Sequence, residues 1–298
     1  MKSILRFAPI IAAAAIAAGF PTAARADKFP ALTTPDSTAQ IPGKLLWADL
    51  FTSDIDSATA FYSGLLGWSA TSLDQKGKTY TVFTNDGRPV AGLVLRTLKG
   101  PEHPARWIGY FSVADIDATV ALATKSGGVL RAPARKFPDR GHEAIVSDID
   151  SIPFGLIHSS SGDPADAEPR PGDWNWFELY VKNPTETSAF YHDVLGFTVA
   201  PETKSDRKSD FILTSADQAR GGIAPLPDGT DSKPSWLGVI RVSNLDDTLA
   251  KVAGLGGEVL VKPHSVEFGS RFAIILDSTG GTVGLVQYMD NANPANSQ

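Results

Sequence analysis

Asp49 and Glu178 are the acids best placed to do chemistry in this chain. Each stands two residues after a tryptophan and two before another aromatic, in Trp47-Ala48-Asp49-Leu50-Phe51 and Trp176-Phe177-Glu178-Leu179-Tyr180. Side chains two apart on a strand share a face, so each carboxylate would lie among rings. A carboxylate held against apolar rings has a raised pKa and can serve as a general acid or base. An apolar concavity with few polar groups also suits a small molecule. The same alternation in a later strand adds Ile108, Tyr110 and Ser112 to the first site. It adds Leu237, Val239 and Arg241 to the second, with Arg241 a candidate partner for Glu178. The opposite faces, Ala48 with Leu50 and Phe177 with Leu179, are expected to pack on a helix. Three readings stay open: an aromatic-lined site for a small apolar or aromatic molecule, an acid–base lyase or isomerase, and indoles that fill the concavity.

The histidines offer no obvious metal site. His103 lies in a Pro-flanked loop, His192 on the solvent face of a helix, and His264 after Pro263 near a turn. His142 and His158 fall in strand-like stretches. His142 and Glu143 are adjacent, so on a strand they face opposite ways and cannot share one ion. Structural or surface roles are expected for all five. There is no cysteine, which removes thiol chemistry, disulfides and cysteine-linked lipid. The formal net charge is −6, unsuited to nucleic acid or anionic lipid.

The first 26 residues read as a secretory signal. Lys2 and Arg6 precede an apolar, Ala-rich run, and Ala24-Arg25-Ala26 is a small-x-small cleavage pattern. The expectation is export to the periplasm or medium, a mature chain starting at Asp27, and no membrane span after cleavage. Loss of Lys2, Arg6 and Arg25 makes the remainder still more acidic.

The elements that must position the acids are legible because the chain repeats itself. Residues 47–62 recur at 176–191, an offset of 129, and weaker copies start at Ser112 and Ser243. Asp54, Asp115, Asn183 and Asn244 mark four equivalent helix N-caps. Between Asp54 and Gly67, Ile55, Ala58, Phe61, Tyr62 and Leu65 share a helical face. Asn183, Pro184, Glu186 and Gly196 bound its counterpart. Three strand-like runs follow each such helix, so the unit is strand–helix–strand–strand–strand, four times over. The expected organisation is a lead-in at 27–43, extended or disordered, a first domain at 44–160, a Pro-rich linker at 161–173, a second domain at 174–290 and a tail at 291–298. Each domain is long enough to bury its own core.

The phrases DIDSATAFYSGLLGW, NPTETSAFYHDVLGF and ILDSTGGTVGLVQ resemble the vicinal oxygen chelate superfamily, which includes glyoxalase I, extradiol dioxygenases and bleomycin- and fosfomycin-resistance proteins. The resemblance implies an α+β fold of tandem domains, each two βαβββ modules whose sheet curls into a cup. It also implies divalent-metal ligands at strand positions that here carry Trp47, Ile108, Trp176, Leu237, Gly155 and Gly284. Indole, aliphatic side chains and glycine are not ligands for such an ion. No metal or cofactor is therefore expected. The expected ligand-binding residues are Trp47, Asp49, Phe51, Tyr110, Trp176, Glu178, Tyr180 and Arg241. A glyoxalase- or dioxygenase-like metalloenzyme with ligands elsewhere remains the alternative, and oligomeric state is open.

Overall fold

The structure is a computed structural model that describes residues 27–75, 77–97, 104–202, 210–227, 233–266 and 269–288. The signal-like segment, His103 and the tail lie outside these residues. The first domain runs β1 (Leu45–Thr52), α1 (Ile55–Leu66), β2 (Ser69–Asp74), β3 (Thr79–Asn85), β4 (Arg88–Leu95), β5 (Arg106–Ser112), α2 (Ile116–Lys125), β6 (Val129–Phe137), β7 (Gly141–Ser147) and β8 (Pro153–Ser159). The second repeats it as β9 (Trp174–Val181), α3 (Pro184–Leu195), β10 (Thr198–Pro201), β11 (Phe211–Ser215), β12 (Gln218–Pro225), β13 (Ser235–Arg241), α4 (Leu245–Val252), β14 (Glu258–Ser265), β15 (Arg271–Leu276) and β16 (Thr282–Gln287). Each half is one eight-stranded mixed sheet, ordered β2-β3-β4-β1-β5-β8-β7-β6 and β10-β11-β12-β9-β13-β16-β15-β14.

Local chemistry sets the helix starts as expected. Asp54, Asp115, Asn183 and Asn244 each accept a backbone N–H from three residues on, satisfying a donor that the first turn cannot pair. Gly67 and Gly196 close α1 and α3 in the left-handed conformation, at φ 75° and 71°, which glycine adopts without steric cost.

Packing departs from the expectation of one core per domain. Ala48, Leu50, Phe61, Tyr62, Trp68 and Trp107 of the first domain share a core with Ile240, Leu245, Val252, Ala273 and Leu285 of the second. Phe111, Ile116, Val146 and Phe154 likewise share one with Leu179, Phe190, Tyr191 and Leu213. The helix-bearing faces meet, α1 on α4 and α2 on α3, so the other face of each sheet looks outward. Four tryptophans lie at this junction. Trp107 and Trp174 meet edge to face at 5.0 Å, Trp68 donates to Gly172 O at 3.0 Å, and Trp236 lies 5.4 Å from Phe111.

Reciprocal hydrogen bonds stitch the halves. Tyr62 Oη donates to Asp277 Oδ2 at 2.8 Å and accepts from Trp107 Nε1 at 2.8 Å. Tyr191 Oη donates to Asp148 Oδ2 at 2.9 Å and accepts from Trp236 Nε1 at 3.1 Å. The other oxygen of each acid caps its own turn: Asp148 Oδ1 takes Asp150 N and Ile152 N, and Asp277 Oδ1 takes Thr279 N and Gly281 N. Burial nevertheless wins at Asp148, pushing its pKa up to about 6 against the pull of these donors. A folded pKa above the unfolded value near 3.9 means that the protonated form favours folding. That contribution, on the order of 3 kcal/mol, is complete below about pH 4 and lost as pH rises through 6. A carboxyl ¹³C titration should show Asp148 with a midpoint near 6; a midpoint below 4 would mean that the donors prevail.

The lead-in and linker are ordered rather than loose. Thr33 bonds Ser161 and Gly162, and Ser37 N reaches Ser161 O. Asp163 Oδ2 accepts both Ile41 N and Ser112 Oγ at 2.6 Å. Asp166 is held by Lys44 and Arg220, whose hydrogen bonds bring its pKa down to about 2. Composition leaves the lead-in extended or disordered; these specific bonds offset the entropy of ordering it as an extended segment.

Candidate functional site

Strand register brings the expected residues together in two cups. In the first, Trp47 pairs with Tyr110, Asp49 with Ile108 and Gly92, and Tyr110 with Gly155. In the second, Trp176 pairs with Val239, Glu178 with Leu237 and Gly222, and Val239 with Gly284. The two sites are therefore equivalent in backbone and unequal in side chains.

The first cup is filled. Trp47 is 1% exposed and packs with Val82, Ile108, Tyr110 and Ile157. A polar triangle lies inside it. Trp47 Nε1 donates to Asp49 Oδ1 at 2.7 Å and lies 2.9 Å from Tyr80 Oη, which itself donates to the same carboxylate oxygen at 2.5 Å. Asp49 is 3% exposed, so this carboxylate is bound to the protein rather than presented to solvent. Tyr80 sits where only the glycine of β4 leaves room: a Cβ on Gly92 would fall 1.9 Å from the phenol oxygen.

Arg140 completes the cluster. It belongs to the β6–β7 turn, reached through Asp139 at φ 65°. Its guanidinium lies 4.3 Å from the Trp47 ring centroid, close enough for a cation–π contact. Nε donates to Glu143 and Nη1 to Tyr80 Oη at 3.3 Å. Burial pushes the Glu143 carboxyl above its ordinary range although Arg140 pulls the other way. Burial works against the guanidinium too, yet Tyr80, Glu143 and Asp49 hold its pKa above the usual value. Burial likewise drives the Tyr80 and Tyr110 phenols well above theirs.

Among the described residues, the second cup carries different side chains at these positions. Aligning the strand pairs Val82–Gly92 and Ile212–Gly222 places Asp210 where the first half has Tyr80. Aligning Glu143–Ile157 and Phe272–Val286 places Phe272 at Glu143 and Gly269 at Arg140. Trp176, Tyr180, Ile212, Phe272 and Ile274 are only half-buried, around a buried Glu178. Trp176 Nε1 donates to Glu178 Oε2 at 2.6 Å, the counterpart of the Trp47–Asp49 bond. Burial and the Glu178 charge push the Tyr180 phenol up to about 12. Arg241 does not serve as the expected partner of Glu178. It turns to the linker, donating to Glu168 Oε1 and Pro169 O at 2.6 Å and lying over Tyr288.

The positions that would hold a divalent ion do not fit one. Gly155 is covered by Tyr110, whose ring would lie 2.2 Å from a Cβ there, and Gly284 is covered by Phe272 and Val239. Among the described residues no three of His, Asp and Glu converge. His158 Nδ1 meets Val113 O, His192 Nδ1 meets Phe197 O, and His264 Nδ1 meets Lys262 O. Each ring meets a backbone carbonyl.

The family model described as Glyoxalase/Bleomycin resistance protein/Dioxygenase superfamily matches residues 44–154 and again 174–285. The chain belongs to this superfamily. Among its relatives, the glyoxylase candidate CFP32 of Mycobacterium tuberculosis is 29% identical over 81% of this chain and 93% of its own. The anthracycline biosynthesis protein DauV of Streptomyces sp. (strain C5) is 29% identical over 85% and 96%. Among solved structures, the Mn(II)-bound glyoxalase from Novosphingobium aromaticivorans aligns with a TM-score of 0.59 at 17% identity, over 87% of this chain and 86% of that one. The 2,3-dioxygenase LapB from Pseudomonas sp. KL28 aligns at 0.57 and 13%, over 87% and 96%. At these identities the structures bear on the superfamily fold and not on a reaction.

Of the residues that matter here, the strand pattern misses Tyr80, Arg140, Glu143 as an inward group, and Phe29. A trace existed: Arg140 and Glu143 break the internal repeat, since their counterparts are Gly269 and Phe272.

Proposed function

We propose that this is an exported, metal-independent superfamily member that holds a small apolar or aromatic molecule in the cup of its second domain. The observation that carries the reading is the contrast between equivalent cups. The first is closed by its own side chains, while the second leaves Trp176, Tyr180, Phe272 and Ile274 partly accessible around Glu178. Aromatic walls supply contact area with little conformational entropy to lose, and one carboxylate orients a donor group on the ligand. Catalysis by Asp49 is disfavoured, because both of its polar neighbours donate to it inside a filled cup. Export rests on the sequence of residues 1–26, and intact mass of the secreted protein tests it through a start at Asp27.

The binding test is a thermal-shift and tryptophan-fluorescence screen of planar ring compounds. An anthracycline belongs in the panel, given the name of one relative. Trp176→Ala should abolish most of any affinity found while the protein stays folded. Glu178→Gln should flatten the pH dependence of binding. Trp47→Ala should instead cost about 3–5 kcal/mol of stability, as for a core aromatic. A panel that leaves the unmutated protein's melting temperature and fluorescence unchanged would sink the binding reading.

A further inference from the structure

Residues 27–43 cross the first cup as a strap. Asp27 N donates to Asp74 O at 2.8 Å, and Asp27 Oδ2 accepts Asp74 N at 2.7 Å. The far end is tied through Thr33, Ser37 and Ile41 to residues 161–163. Between these ties Phe29 drops into the cup and is 6% exposed. Its ring meets Tyr80 edge to face at 5.0 Å and Phe137 at 5.5 Å, and the Arg140 guanidinium lies 5.3 Å from its centroid.

That guanidinium has an unmet valence. Nε and Nη1 are engaged, but Nη2 is fully enclosed without a hydrogen-bond partner. An enclosed donor without an acceptor is costly and rare, and it defines a place where an acceptor atom would be favoured. Two carboxylates, Asp49 and Glu143, surround the single cation, so an anionic acceptor would meet like charge. A neutral oxygen would not.

We propose that the first cup is a second ligand site, for an uncharged aromatic compound bearing one acceptor oxygen, and that Phe29 occupies the ring position in the resting chain. The ring takes the slot against Tyr80 and Phe137, and the oxygen accepts from Arg140 Nη2. Because Phe29 is tethered, it competes at a high effective concentration. The unaltered chain therefore binds such a compound weakly, and vacating the slot reveals the site. This assignment is independent of the second cup.

The test uses the full chain carrying Phe29→Ala, alone and combined with Trp176→Ala, with acetophenone, ethylbenzene and benzoate as probes. Acetophenone at ten times its Kd should raise the melting temperature of Phe29→Ala by about 2–4 °C. It should bind at least about ten-fold more tightly than ethylbenzene, as expected for one satisfied buried donor, and more tightly than benzoate. The gain should persist with Trp176→Ala, which separates it from binding in the second cup. A natively folded Phe29→Ala protein that ignores all three probes would overturn the proposal, as would equal affinity for acetophenone and ethylbenzene. Should Phe29→Ala fail to fold, the Trp176→Ala chain decides by hydrogen exchange. Saturating acetophenone should speed exchange at the amides of Asp74 and Thr33, which the strap's ties hold, at least ten-fold, and unchanged rates would overturn the assignment.

Discussion

Expressed separately, residues 27–163 and 174–288 should each fail to fold, and the intact chain should unfold in one transition. Leu50, Phe61, Tyr62 and Trp68 bury themselves against residues of the other half, as do Leu179, Phe190 and Tyr191. A lone half would expose a contiguous apolar face far beyond what soluble monomers carry. It would also strand Tyr62 or Tyr191 without its acid. Calorimetry on the whole protein should give a van't Hoff enthalpy equal to the calorimetric one. Co-expressed halves should recover native near-ultraviolet dichroism that neither shows alone. Two resolved melting transitions, or one half with a sharp melt of its own, would show that each domain owns a core.

Arg140→Ala should be as damaging as loss of the Trp47 indole in the first cup, at about 3–5 kcal/mol. It leaves Glu143 buried without its donor and removes the cation between Trp47 and Phe29. The loss arises from a stranded charge more than from missing contacts. Replacing both partners, Arg140→Met with Glu143→Leu, should therefore recover most of the stability. The deficit of the single variant should also narrow as pH falls, because protonation of Glu143 removes the charge left behind. Urea unfolding of the three proteins at pH 5 and 7 measures this. A single-variant cost below about 1 kcal/mol, the range of an exposed pair, would show that the cluster does not hold the cup shut.

Local and periodic features were readable from the chain. The four caps, the glycine stops and the inward Trp47–Asp49–Phe51 alternation depend on neighbours within a few residues, and all appear in the structure. What escaped depends on distant partners. Arg140 lies in a turn between polar residues, where solvent exposure is the ordinary expectation; only the approach of Trp47, Tyr80 and Phe29 buries it. Phe29 sits in a Pro-, Ser- and Thr-rich stretch whose composition hides one anchoring ring. The shared cores escaped for the same reason, since Tyr62 and Asp277 are 215 residues apart. An apolar stripe on α1 announces burial without saying which partner covers it. Arg241, read as a partner for Glu178, shares its strand face but has a side chain long enough to reach the linker.

The reciprocal bonds Tyr62–Asp277 and Tyr191–Asp148 have the form of an isologous contact, residue i of one unit on j of the other and j on i. In a dimer of separate chains such a contact obeys mass action and dissolves on dilution. Here a peptide linker has replaced the second-order step, so the assembly is as complete at nanomolar as at millimolar concentration. Fusion also frees the units from identity. A substitution in a symmetric dimer is made in both copies at once, whereas in this chain one cup can close around a buried arginine while its twin carries glycine at that position.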